Sequence, residues 1–131
     1  MDKDVTTITG IEQGRAKFAY DCVVKVKDNK KYKGHIKKIP SYIKTNGLGA
    51  TMAFIYGKDD TYKKIYKHIE EWLKKDNKKL IDISGNKNML NEIVGIGGQQ
   101  YRAITIEVLA FINWLKRFAD GLIEGEDTEN G

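Results

Sequence analysis

A chain of 131 residues is enough for one domain with a real core and too short for two. Charged residues make up 31% and apolar ones 40%, which excludes a disordered composition, and no apolar run approaches the ~20 residues of a membrane span. A single cysteine, Cys22, excludes an internal disulfide, and the 23 Lys and Arg against 18 Asp and Glu leave a formal charge of +5.

The first helix is expected from about Thr7 to Lys27, after a polar segment 1–6. At 100° per residue, Ile8, Ile11, Ala16, Phe18, Ala19, Cys22, Val23 and Val26 fill one arc. Arg15 falls in the middle of that arc. It is either a salt-bridged arginine that orders the core or one presented to a partner's phosphate or carboxylate; Glu107 is the carboxylate that could neutralise it.

The second element, about Lys30 to Asn46, carries Tyr32, Ile36, Ile39 and Ile43 at helical steps. Pro40 makes it one kinked helix or two helices with the proline in a first turn. Lys30, Lys33, Lys37 and Lys44 form a separate stripe, and Asp28 is the sole acid among the lysines from Lys25 to Lys44. A lysine row most simply solubilises a helix; one with so little interleaved acid also suits a ridge that tracks phosphates.

Asn46-Gly47 then supplies a left-handed stop. Leu48, Met52 and Ile55 begin a third helix, to about Tyr56, with Gly49, Ala50 and Ala53 leaving room for a neighbouring backbone. Asp59, Asp60 or Thr61 caps a fourth helix whose inner stripe is Tyr62, Ile65, Ile69, Trp72 and Leu73. Its lysines are offset by acids, as on an ordinary solvated face.

Lys78 to Gly85 reads as irregular, with Leu80, Ile81 and Ile83 tucked under the bundle or briefly extended. Ser84 or Asn86 caps a small fifth helix through Met89, Leu90, Ile93 and Val94. The run Gly95-Ile96-Gly97-Gly98 has neither a preceding strand nor a following Lys-Ser or Lys-Thr, so it reads as a hinge and not a nucleotide loop.

The last helix, about Gln99 to Leu122, is apolar over nearly half its circumference and should touch several others. Ile106 and Trp114 lie outside that arc, beside Arg102, Asn113 and Arg117. Trp114 is either a contact residue for a partner, with Ile106, or is covered by the 78–98 segment.

These elements imply an all-α fold: a compact single-domain helical bundle of five to six helices over residues 1–131, with 1–6 and 125–131 as disordered tails. No signal-peptide pattern is visible, and the cytoplasm is the expected location. His35 and His68 lack ligand-type company and read as two solvated histidines, and no nucleophile setting is recognisable. No enzyme activity, cofactor or metal is expected.

Three segments carry a resemblance: 15–20, Arg-Ala-Lys-Phe-Ala-Tyr; 38–54, Lys-Ile-Pro-Ser-Tyr-Ile-Lys-Thr-Asn-Gly-Leu-Gly-Ala-Thr-Met-Ala-Phe; and 101–119, Tyr-Arg-Ala-Ile-Thr-Ile-Glu-Val-Leu-Ala-Phe-Ile-Asn-Trp-Leu-Lys-Arg-Phe-Ala. In order and spacing the chain resembles the small subunit of the Cmr (type III-B) CRISPR effector complex, least so between Gly57 and Gln100. The resemblance implies a non-catalytic all-α subunit of an antiviral ribonucleoprotein. Its copies stack beside backbone subunits and neighbouring small subunits, along the channel where target RNA pairs with crRNA, and other subunits cleave. It also implies that Lys38, Lys44, Arg102, Lys116 and Arg117 carry the basic surface; Lys30, Lys33 and Lys37 come from the helical wheel alone. Such a protein should hold phosphates and not read base edges. The rival reading is a protein–protein spacer with no direct RNA contact.

Overall fold

The computed structural model describes residues 3–76 and 78–125, and for 3–9 and 11 the backbone alone. Six α-helices follow one another with no strand among the described residues: α1 Lys3–Val24, α2 Lys30–Asn46, α3 Leu48–Lys58, α4 Asp60–Lys75, α5 Met89–Gly95 and α6 Gly98–Leu122. The all-α bundle expected from the periodicities is the observed fold. The segments 1–2 and 126–131 lie outside the described residues, as do the side chains of Ile8 and Ile11.

α1 starts four residues before the expected Thr7 and stops three short of Lys27. The stop has a local cause. Asn29 caps α2, its side chain accepting from the Tyr32 N–H, so the chain must leave helical geometry beforehand; it does so through tight turns, Val26 N–H to the Val23 carbonyl and Asn29 N–H to that of Val26. α2 runs unbroken through Pro40, which settles the choice left by that residue in favour of one helix.

Gly47 ends α2 at φ +90°, a conformation that suits glycine, and its N–H donates to the Ile43 carbonyl at 2.8 Å. The same residue precedes α3, where Thr51 N–H and Oγ1 both return to its carbonyl. The small residues here do not admit a neighbouring backbone. Gly49 instead makes way for a side chain: its N–H donates to the Tyr101 hydroxyl at 2.8 Å, while Ala50 and Ala53 are exposed.

Asp59 repeats this economy between α3 and α4, accepting from the Tyr62 N–H at 2.8 Å. α4 buries the whole expected stripe, Tyr62, Ile65, Ile69, Trp72 and Leu73, together with Tyr66. The irregular segment tucks Ile81 and Ile83 under the bundle. The cap of α5 is Asn88, not Ser84 or Asn86. Two α4 side chains fix that choice: Glu70 accepts from the Met89 N–H and the Tyr66 hydroxyl from the Leu90 N–H. Of the apolar residues expected inside α5, Met89 and Ile93 are buried, whereas Val94 is 65% exposed.

α6 is the axis of the bundle. It packs against α1, α2 and α4, burying Ile104, Val108, Phe111, Ile112, Leu115 and Ala119. Phe111 stacks on Trp72 of α4 at 5.5 Å, and Phe18 of α1 tilts against both rings. α2 runs antiparallel to α6, its first turns beside residues 120–125 and its far end beside Tyr101.

Candidate nucleic-acid interface

The α2 lysine stripe follows the seam between α2 and α6. Lys33 Nζ donates to the carbonyls of Ile123 and Gly125, at 3.1 and 2.9 Å. α6 has no basic residue in its own last turn, so Lys33 supplies the positive charge that its C-terminal carbonyls favour. Lys37 reaches Asp120 at 3.6 Å with both side chains exposed, a pair that adds little to stability. The Lys30 side chain lies against Gly125. Three of the four stripe lysines therefore meet the end of α6, an adjacency that one helical wheel does not contain.

The seam gains cations from the other helix. Lys116 stands one turn before Asp120 and so on the same side of α6; Arg102, five turns before it, shares its azimuth about 27 Å away. Arg102, Ile106, Asn113, Arg117 and Asp120 all recur on the exposed face of α6. Among the described residues Lys30, Lys38, Lys44, Arg102 and Lys116 have no ion-pair partner within 4 Å. Lys38 does not join the seam: it lies about 100° beyond Lys37 and is half-buried on the flank of α2.

α1, and not the 78–98 segment, covers Trp114. Its indole N–H donates to Glu12 at 2.7 Å, its ring stacks on Phe118 at 5.6 Å, and the Arg117 guanidinium sits 5.2 Å from the ring centroid. Ile106 is 63% exposed.

Arg15 is internal. Its Nε and Nη2 donate to the two oxygens of Glu107, each at 2.8 Å, and Glu12 takes a third N–H. The buried Glu107 carboxylate also accepts from the Trp72 indole at 2.8 Å and pairs with Lys78 at 2.6 Å. Burial pushes its pKa up, but the hydrogen bonds from Arg15, Lys78 and Trp72 outweigh that and hold it at about 2. The carboxylate named in the sequence as a neutraliser is Arg15's partner, which leaves this arginine in a node tying α1, α4 and α6 together.

The histidines are not the two solvated ones expected. His35 is 6% exposed, stacked on Tyr62 at 3.8 Å, with Nε2 at 3.1 Å from Asp59. His68 Nδ1 lies 2.8 Å from the Tyr32 hydroxyl, and burial together with Lys25 and Lys64 brings its pKa down to about 4. Both bridge α2 and α4, an interface that the apolar stripes alone do not assign to polar residues. No group of three or more His, Cys, Asp or Glu able to hold a metal ion occurs among the described residues. Among those residues no helix is long and apolar enough to cross a membrane.

Residues 11–122 match the family model of the CRISPR-associated protein family Cas_Cmr5. Among solved structures, the chain is similar to a CRISPR-associated Cmr5 family protein from Thermus thermophilus, with a TM-score of 0.69 and 26% identity over 87% of this chain and 98% of that one. The family match spans α1 through α6, including the Gly57–Gln100 region where the three sequence segments were silent. The chain belongs to the Cmr5 family of CRISPR-associated proteins, the small subunits of the Cmr (type III-B) complex.

Proposed function

We propose that this small subunit is a non-catalytic, sequence-independent RNA holder in the cytoplasm. In this reading it stacks along the Cmr ribonucleoprotein with neighbouring small subunits and backbone subunits, and contacts crRNA or target RNA through the α2–α6 seam. One observation supports this above the others: residues 30–58, the whole of α2 and α3, hold seven lysines and no aspartate or glutamate. A solvated helix normally intersperses both signs. An acid-free pair of helices beside Arg102, Lys116 and Arg117 suits a polyanion whose sequence varies, because flexible cations bind phosphates without reading bases.

The seam lysines that already meet α6 bear less of this role; Lys44, Arg102, Lys116 and Arg117 bear more. Replacing those four together with Glu should lower RNA capture by the assembled complex at least tenfold and flatten its salt dependence. Unchanged capture would sink the reading.

The scaffold reading, with no RNA contact, draws on the 63% exposure of Ile106 on the same face of α6. A gel shift of the chain with single-stranded RNA at two salt concentrations separates the two. RNA holding predicts a salt-sensitive shift lost in the quadruple variant; a spacer predicts loss of assembly on Ile106→Glu with RNA capture per assembled subunit unchanged.

A further inference from the structure

Tyr42 is two residues from Lys44, and so about 200° round α2 from the seam. There Tyr42 and Asn46 of α2, with Ala50, Thr51 and Phe54 of α3, line an open groove of about 440 Å³. Its main wall is the Phe54 ring, 43% exposed. That ring has two aromatic neighbours: it meets Tyr42 and Tyr62 edge-on, each at 5.6 Å, and Tyr62 stacks in turn on the buried His35. The rim is polar and open to solvent. Neither the Tyr42 hydroxyl nor the Asn46 carboxamide has a hydrogen-bond partner among the described residues.

The cations beside the groove come from both helices. Lys38 stands one turn before Tyr42 and Lys58 one turn after Phe54, on helices without an acidic residue. The nearest acid in sequence, Asp59, is occupied by the Tyr62 N–H and His35.

We propose that this groove takes an unpaired base of single-stranded RNA, stacked on Phe54 and bordered by Tyr42 and Asn46, with Lys38 and Lys58 against the flanking phosphates. The inference rests on the RNA reading above and adds a second, base-stacking contact on the opposite side of α2. It also gives Lys38, which falls off the seam, a place. An apolar protein anchor in the same groove would cover the Tyr42 hydroxyl and Asn46 without satisfying them and would leave the lysines unmatched. A nucleotide offers an aromatic face, hydrogen-bonding edges and a negative backbone together. Because every base has such a face, the contact tolerates any sequence.

The test is photocrosslinking of the Cmr complex, assembled with this chain, to RNA carrying 5-iodouridine, followed by mass spectrometry of the adducts. The expected adducts fall on Tyr42 or Phe54. They should disappear in Phe54→Ala and in Ala50→Leu, which fills the groove without removing a ring. Phe54→Ala should also bind single-stranded RNA about tenfold more weakly, with no such loss on abasic RNA. Adducts confined to the seam, with capture intact, overturn the groove and leave the phosphate reading standing. No adduct on any residue of this chain overturns the groove, and the phosphate reading then stands or falls with the quadruple variant. Loss of assembly in Phe54→Ala with normal RNA capture per subunit makes the groove a protein contact and overturns the inference.

Discussion

Arg15 and Lys78 converge on the single carboxylate of Glu107, which is 3% exposed, while Lys44, Arg102 and Lys116 make no ion pair within 4 Å among the described residues. The first group sits where α1, α4 and α6 meet and is matched bond for bond, down to the Trp72 indole. The second lies along α2, which carries no acid of its own, and the outer face of α6, whose one exposed acid, Asp120, is met by Lys37. A matched buried cation belongs to the architecture, because its removal leaves an uncompensated charge. An unmatched exposed one adds almost nothing to folding and is open to a partner.

Breaking the matched group should have the largest effect. Arg15→Met is expected to lower stability by about 3 kcal/mol in urea denaturation, the low end for a broken buried pair because Lys78 and Trp72 still hold Glu107. Acid probes the same node. The folded pKa of Glu107 is held at about 2 against an ordinary 4.5, so its contribution is present above pH 4.5 and is lost as pH falls from 4.5 towards 2. That contribution is on the order of 3 kcal/mol. His68, depressed to about 4, adds an earlier loss between pH 6.5 and 4, which His68→Gln should remove from a pH–stability profile.

Lys33 sharpens the contrast because it belongs to both groups. Lys33→Met should cost about 0.3–1 kcal/mol through the lost contact with the end of α6, and should also weaken RNA capture. The smallest stability change is expected from the unmatched set: Lys44, Arg102 and Lys116 replaced singly with Glu should each shift stability by less than about 0.5 kcal/mol. Larger losses in thermal melts would mean that those cations are structural after all.

How much of this the sequence carries depends on whether the cause is local. α2 could be delimited closely because the apolar steps and Asn46-Gly47 act within one element, although its cap, Asn29, was not singled out. Arg15 showed itself as the one misfit in an apolar arc, and Glu107 as the carboxylate at the edge of another, so their pairing was legible across 92 residues. The destinations of Lys33, Lys37 and Trp114 were not, since each is decided by which helices become neighbours and at what height. The α5 cap shows the same limit: Ser84, Asn86 and Asn88 are all competent, and Glu70 and Tyr66, 19 and 24 residues from the N–H groups they accept from, select among them. Histidines read as solvated turned out to be rungs between α2 and α4 for the same reason.

Gly47 and Asp59 each close one helix and open the next, so α2, α3 and α4 are joined through single residues. No slack exists at either joint. One amino acid inserted there would rotate everything after it by roughly 100° and swing Phe54, or the α4 core face, out of register. Slack exists instead before α2, where five residues follow Val24, and between α4 and α5, so α2, α3 and α4 keep one fixed phase towards each other.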